Sequence, residues 1–405
     1  MRKNRFIPAL MAVFLLLTFS ACKTDTDISS EPSGAEDTDV SSAVSQQTES
    51  TQDESAEPDS FSSESSEIPE QSQASGQTPP TEPPTPPLEF RVTERFVPEC
   101  FKQYMVTPSL LYGEYIISIP FGENNEHTRA VSLEGHVERD LGFFGWDVKA
   151  DEKYYYWMDY LLFDNKGTLT KTDKQTLEST PLLVRDNGRE IFMRLAMSGK
   201  YIAWTEAKDA EHFYIEVYDT EKEELVREIE VNYFYSPFAP PNLCGERLLY
   251  VETDSDWNYI ITCLDLNSGE SWEYTDGKGT GEKEDIRPEP VGLTTDGDRI
   301  FWNNMYGIYC YDRRSGEETV IREGDGGMGM ALLMDRYLVY VYNYNLFVYD
   351  LDTQQLIFEG DLPEDEYYGT FFNINEEATK VVFSAQKLDP EIACTYICLL
   401  EPVTG

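Results

Sequence analysis

Histidine is almost absent from this sequence: His127, His136 and His212 are the only three in 405 residues. A histidine-based metal site or a Ser/His/Asp triad is therefore poorly supplied. The seven cysteines contain no Cys-x-x-Cys pair, which withholds the commonest short metal and redox spacing. There is no P-loop, no Asp-box and no regular Trp-Asp signature. Basic residues are scarce as well, 32 against 75 acidic ones, for a formal charge of -43. About -15 of that falls between residues 23 and 89, and roughly -31 lies beyond. A domain this acidic repels phosphate backbones, so nucleic acid is not expected as a partner. It also repels an anionic membrane surface. Cationic peptides, basic proteins and metal ions are left as partners by charge.

Long apolar runs are missing too. The longest spans residues 6–19 and is interrupted by Pro8 and Thr18. A bilayer crossing needs about 20 apolar residues, so this run falls short. It follows the cationic start Met1-Arg2-Lys3-Asn4-Arg5, as a secretory signal does. It ends in Leu17-Thr18-Phe19-Ser20-Ala21-Cys22. Small residues precede the cysteine and a polar segment follows it. These residues resemble the bacterial lipobox, with Phe19 where that pattern prefers Leu. The resemblance implies cleavage after Ala21, lipid on Cys22 and a membrane anchor. Two or three acyl chains on one residue suffice for stable anchoring.

From Cys22 to Leu88 the composition turns to Ser, Thr, Glu, Asp, Gln and Pro, with Phe61 as the one aromatic residue. Such a segment cannot bury enough apolar surface to offset its ordering entropy. It is expected to be a disordered tether, roughly 45 Å from end to end, stiffened by the prolines of residues 78–87. The expected division is a signal over 1–21, a tether over 22–88 and a folded domain over 89–405.

That domain has no amphipathic helical run of useful length. It is rich in Tyr, Phe, Val, Ile and Trp, with turns every 8 to 12 residues, an all-β signature. A charged residue leading into an apolar strand recurs seven times. The copies start at Gly113-Glu114-Tyr115, Glu152-Lys153-Tyr154, Gly199-Lys200-Tyr201, Glu246-Arg247-Leu248, Asp298-Arg299-Ile300, Asp335-Arg336-Tyr337 and Thr379-Lys380-Val381. A second element, a strand ending in Asp and then a turn, follows at Tyr218-Asp219, Leu264-Asp265, Tyr311-Asp312 and Tyr349-Asp350. Asp caps such turns with its side chain. Each unit reads as four strands, A to D, and four-stranded units of about 45 residues are propeller blades. The expected fold is all-β, a seven-bladed β-propeller, with six or eight blades as alternatives. The last unit ends in what reads as a C–D turn, and residues 90–96 alternate like a half-buried strand. They are expected to supply the missing strand D. These repeats resemble the TolB-type, WD40-like (PD40) propellers of bacterial extracytoplasmic proteins. That resemblance implies a fold and no particular function.

Besides Cys22 there are Cys100, Cys244, Cys263, Cys310, Cys394 and Cys398. Equivalent strands of different blades are too far apart for disulfides, and Cys394 and Cys398 lie about 13 Å apart along one strand. Most are expected to be buried thiols. Cys244 with Cys263 is the first pair to test. Asp254-Ser255-Asp256 and residues 361–366 are acidic but lack the glycine and ligand alternation of a calcium loop.

In a propeller the B–C and D–A connections share one face. On this assignment that face receives Tyr233, Phe234, Tyr235 and Phe238 between blades 3 and 4, and Trp257 from blade 4. Tyr306 and Tyr344 come from the B–C turns of blades 5 and 6, and the glycine-rich residues 324–329 enter blade 6 there. Exposed Tyr and Trp among acidic residues suit a peptide, a protein or a glycan. The expected function is a lipid-anchored, extracytoplasmic binding or scaffolding module, monomeric, without catalysis or cofactor. Two alternatives are an enzyme acting on a carbohydrate or lactone through carboxylates and a metal, and a ligand-free spacer.

Overall fold

Seven four-stranded antiparallel sheets make up the described part of the chain. The computed structural model describes residues 88–99, 106–118, 127–145, 147–160, 167–185, 190–207, 212–231, 240–278, 289–324, 328–343, 345–360, 366–387 and 395–403. The signal and tether expectations, Cys22 included, lie outside them. The sheets are the blades of a seven-bladed β-propeller. Each of the seven recurring sequence motifs opens a strand B: Glu114–Ser118, Tyr154–Tyr160, Tyr201–Ala207, Arg247–Thr253, Arg299–Asn304, Tyr337–Tyr342 and Val381–Lys387.

The B strands carry near-continuous apolar runs because each is buried on both faces between neighbouring blades. Side chains alternate across a strand, and here the two parities face different blades. Ile202 and Trp204 pack with Tyr156 and Met158 of blade 2. Tyr201 and Ala203 between them pack with Leu243 and Leu248 of blade 4. In blade 7, Phe383 and Ala385 face Val339 and Val348 of blade 6, while Val382 faces Tyr115 and Val131 of blade 1. One apolar cluster thus fills each blade-to-blade interface and the ring closes.

Closure follows the expected route. Blade 7 takes its fourth strand from Phe90–Phe96, which pairs antiparallel with Thr395–Pro402, Phe90 opposite Pro402 and Phe96 opposite Ile397. This covers the outer edge of Thr395–Pro402 and gives blade 7 the same four strands as the other blades. Blades 1 and 2, the least regular in sequence, have short edge elements: Glu138–Asp140 as strand D of blade 1 and Lys149–Ala150 as strand A of blade 2.

The Asp of the second motif caps its C–D turn. Asp219 Oδ1 accepts the N–H groups of Glu221 and Lys222, both at 3.0 Å. Asp265 Oδ1 accepts those of Asn267 at 3.1 Å and Ser268 at 2.8 Å. Asp173, Asp312 and Asp350 do the same in blades 2, 5 and 6. The basic residue of the first motif meets this Asp across the blade: Lys200 Nζ lies 3.4 Å from Asp219 and Arg336 2.9 Å from Asp350. In blade 7 the partner of Lys380 is Glu401, at 3.1 Å. Blade 5 departs, because Arg299 turns back to Asp296 in its own A–B turn.

Polar side chains also tie blade to blade at three junctions. Asn242 Nδ2 donates to the Leu293 carbonyl at 2.6 Å, and Asn373 Nδ2 to that of Pro108 at 2.7 Å. Buried Asn303 accepts the Ala331 N–H at 3.0 Å. Gly292 lies beside it at φ +60, where a Cβ would sit 2.3 Å from Asn303 Oδ1.

Candidate functional site

A cleft opens between blades 4 and 5 at the end from which the B–C and D–A connections leave. Its volume is about 220 Å³. That is below the range of drug-sized pockets and suits a single side chain or one sugar ring.

Its walls are aromatic because the ends of four strands converge there. Tyr259 starts strand C of blade 4 and Tyr274 lies near the end of strand D. Trp302 lies on strand B of blade 5, directly across from Tyr309 on strand C. Trp302 sits between two of these rings, 4.8 Å from Tyr274 and 5.6 Å from Tyr309 between centroids, the latter pair stacked at 17°. Tyr259, Tyr274 and Trp302 are buried, while Tyr306 at the rim is 49% exposed. Tyr306 is held by its own backbone: its N–H donates to Asn304 Oδ1 at 2.8 Å and its carbonyl accepts the Gly324 N–H at 2.7 Å. The ring therefore projects from a fixed turn.

Three charged groups complete the cleft. Asp276 Oδ1 accepts the N–H groups of Tyr259 at 3.1 Å and Lys278 at 3.3 Å. Glu318, from strand D of blade 5, accepts the Tyr274 hydroxyl, and Lys278 Nζ stands 3.4 Å from its other oxygen. Burial, and then the Glu318 carboxylate, push the Tyr274 hydroxyl far above the usual phenol range. It therefore stays a hydrogen-bond donor at any physiological pH. Two carboxylates and one ammonium leave the cleft with a net negative charge.

Of the residues expected on this face, Tyr306 lines the cleft. Trp257 lies in the turn just before Tyr259, half-buried at φ +65 with its N–H on the Asp254 carbonyl, and is not part of the wall. Tyr233, Phe234, Tyr235, Phe238 and Tyr344 lie outside the described residues, as do residues 325–327 of the glycine-rich segment. Tyr259, Tyr274, Trp302, Tyr309 and Glu318 were not singled out by sequence. They sit on strands, where an aromatic residue reads as core. Only the pairing of blade 4 with blade 5 shows that their side chains reach one opening.

Other expected features resolve as structure. Asp254 Oδ1 caps its own turn, accepting the N–H groups of Asp256 at 2.8 Å and Asn258 at 2.9 Å. Cys244, Cys263, Cys310 and Cys398 are free thiols. Cys244 and Cys263 lie on strands A and C of blade 4, separated by strand B, too far for a disulfide. Cys100, Cys394 and residues 361–365 lie outside the described residues. Among the described residues no group of three or more His, Cys, Asp or Glu side chains is placed to hold a metal ion.

One solved structure, the first of the three that follow, supports the fold. The β-propeller domain of the Trilobed protease from Pyrococcus furiosus, described as having an open velcro topology, superposes with a TM-score of 0.51 at 15% identity over 75% of this chain and 97% of its own. BamB from Moraxella catarrhalis gives 0.45 at 11% identity over 77% of this chain and 99% of its own. An oligogalacturonate lyase from Vibrio parahaemolyticus gives 0.45 at 12% identity over 77% and 96%. No protein-family model and no curated protein matches the sequence.

Proposed function

We propose that this chain is a lipid-anchored, extracytoplasmic binding or scaffolding propeller of the TolB-like, WD40-like kind, which recognises its partner at the blade 4–5 cleft. The observation that carries the reading is the aromatic opening on the connection-bearing face, with Tyr306 held out over buried rings. The motif at residues 17–22 supports the anchor. A tether of Ser, Glu and Pro supports a domain held off the membrane and presented to other envelope components.

Two experiments test it. Cys22→Ser should release the protein into the medium, and retention on the membrane would overturn the anchor. The full chain displayed to peptide and glycan arrays should retain a ligand that Tyr306→Ala loses. No retained ligand, or retention indifferent to Tyr306→Ala, would overturn the site.

A further inference from the structure

We propose that the blade 4–5 cleft takes a lysine side chain of a basic peptide or protein, its ammonium group set against Glu318 and Asp276 and its methylene stem against the aromatic wall. This rests on the cleft being the binding site, and goes on to name the chemistry of its ligand.

The walls suit a cation. The faces of Trp and Tyr rings carry negative charge density, and an ammonium held against them gains about 0.5 to 2 kcal/mol. Tyr306 at the rim and Tyr309 beside it supply such rings in one opening, backed by the buried Trp302. The stem of a lysine side chain is apolar and packs on rings while its head stays polar. The volume of about 220 Å³ is enough to admit one such side chain.

One of the two carboxylates already does this chemistry. Glu318 holds the ammonium of Lys278 at 3.4 Å. Lys278 is 58% exposed on its side chain, beside the opening. An exposed pair of this kind contributes at most about 1 kcal/mol, so an incoming ammonium can displace it. Glu318 would stay fixed meanwhile, because the Tyr274 hydroxyl donates to its other oxygen. Lys278 thus acts as an internal stand-in for the ligand and competes with it.

The field of the whole domain points the same way. With roughly -31 beyond the tether, it concentrates cationic partners and repels anionic ones. A neutral glycan would gain nothing from that field. An acidic peptide would be opposed by it.

The test uses the full chain from residue 22 with Cys22→Ser, titrated with a hexapeptide carrying one lysine. The same peptide with acetyl-lysine, and one with glutamate, serve as controls, with Trp fluorescence and calorimetry as readouts. The lysine peptide should bind at least tenfold more tightly than the acetylated one, and less tightly at high salt. Glu318→Gln, which keeps an acceptor for Tyr274, should weaken it tenfold or more, as should Tyr306→Ala. Lys278→Met should strengthen binding severalfold, because the internal competitor is gone. A merely structural Lys278 would give a loss instead. Equal binding of the acetylated peptide, or weaker binding by Lys278→Met, would overturn the lysine assignment. If neutral glycans bind and Tyr306→Ala abolishes that, the lysine assignment fails while the site stands. If no probe binds, both fail.

Discussion

The Phe96 ring lies stacked on the His136 imidazole, with centroids 3.9 Å apart and planes within 11°. Phe96 ends the strand that completes blade 7, and His136 sits in the C–D turn of blade 1. Glu94 joins them, with Oε2 3.4 Å from His136 Nε2 and also accepting the Tyr115 hydroxyl. The closing strand is thus fastened on two sides, by its ladder to blade 7 and by this contact to blade 1. Phe96→Ala should destabilise the domain by about 2 kcal/mol. Amide exchange across Thr395–Pro402 should speed up first, before that of the blade 3 and blade 4 B strands. Uniform acceleration across all blades would show that closure is not the weak point.

The Asp caps predict an acid limb to the stability profile. The N–H groups of Thr176 and Gln175 hold Asp173 below the usual carboxylate range, and Ser268 does so for Asp265. Burial pushes Asp219 up, but the Lys222 N–H and the Lys200 ion pair more than offset it. Folded values below unfolded ones mean that the unfolded chain binds more protons in acid. The contribution is complete above about pH 5. It starts to fall as pH nears the unfolded value of about 3.9 and is lost as the folded carboxyls protonate. Asp219→Asn should lower stability at pH 7 and flatten this limb in urea melts between pH 3 and 7. An unchanged slope would remove Asp219 from the account.

Three thiols should be inert in the folded protein. Burial pushes Cys263 up to about 11, and Cys310 and Cys398 to about 12. At pH 8 the thiolate, which is the reactive form, is scarce, and access is closed as well. Peptide-resolved alkylation should leave all three unmodified in native buffer and label them fully in denaturant. Labelling of any of them in the native state would show that its interface opens.

The Asn303 bridge from blade 5 to blade 6 can be broken from either side. Asn303→Ala leaves the buried Ala331 N–H without its acceptor, at a cost of about 1 to 3 kcal/mol. Gly292→Ala places a methyl group against Asn303 and the Ala331 backbone at a positive φ, and should cost at least about 2 kcal/mol. Thermal melts of both, with the double variant, should show strong non-additivity, since the two changes disrupt one contact.

Much of this architecture was legible because its signals are local. A charged residue before an apolar run marks each strand B, and an Asp after an apolar run marks a turn whose N–H groups it must cap. The closing strand was legible from alternation at 90–96 together with a unit lacking its fourth strand. The cleft was not legible, since Tyr274, Trp302 and Glu318 come from two blades, and each reads alone as an ordinary strand residue. Tyr306 stood out because a ring in a two-residue turn has no strand neighbour to cover it.

The closing strand also sets an order of events in time. Thr93 and its partner Leu399 are 306 residues apart, so a chain made at 5–20 residues per second leaves Phe90–Phe96 unpaired for roughly 15 to 60 s. Blades 1 to 6 contain only neighbouring strands and can form as they appear. Blade 7 must wait, and closing so long a loop is slow. The waiting strand carries three charges, Arg91, Glu94 and Arg95, among its seven residues. Those charges keep a bare edge from pairing with another chain until its own partner arrives.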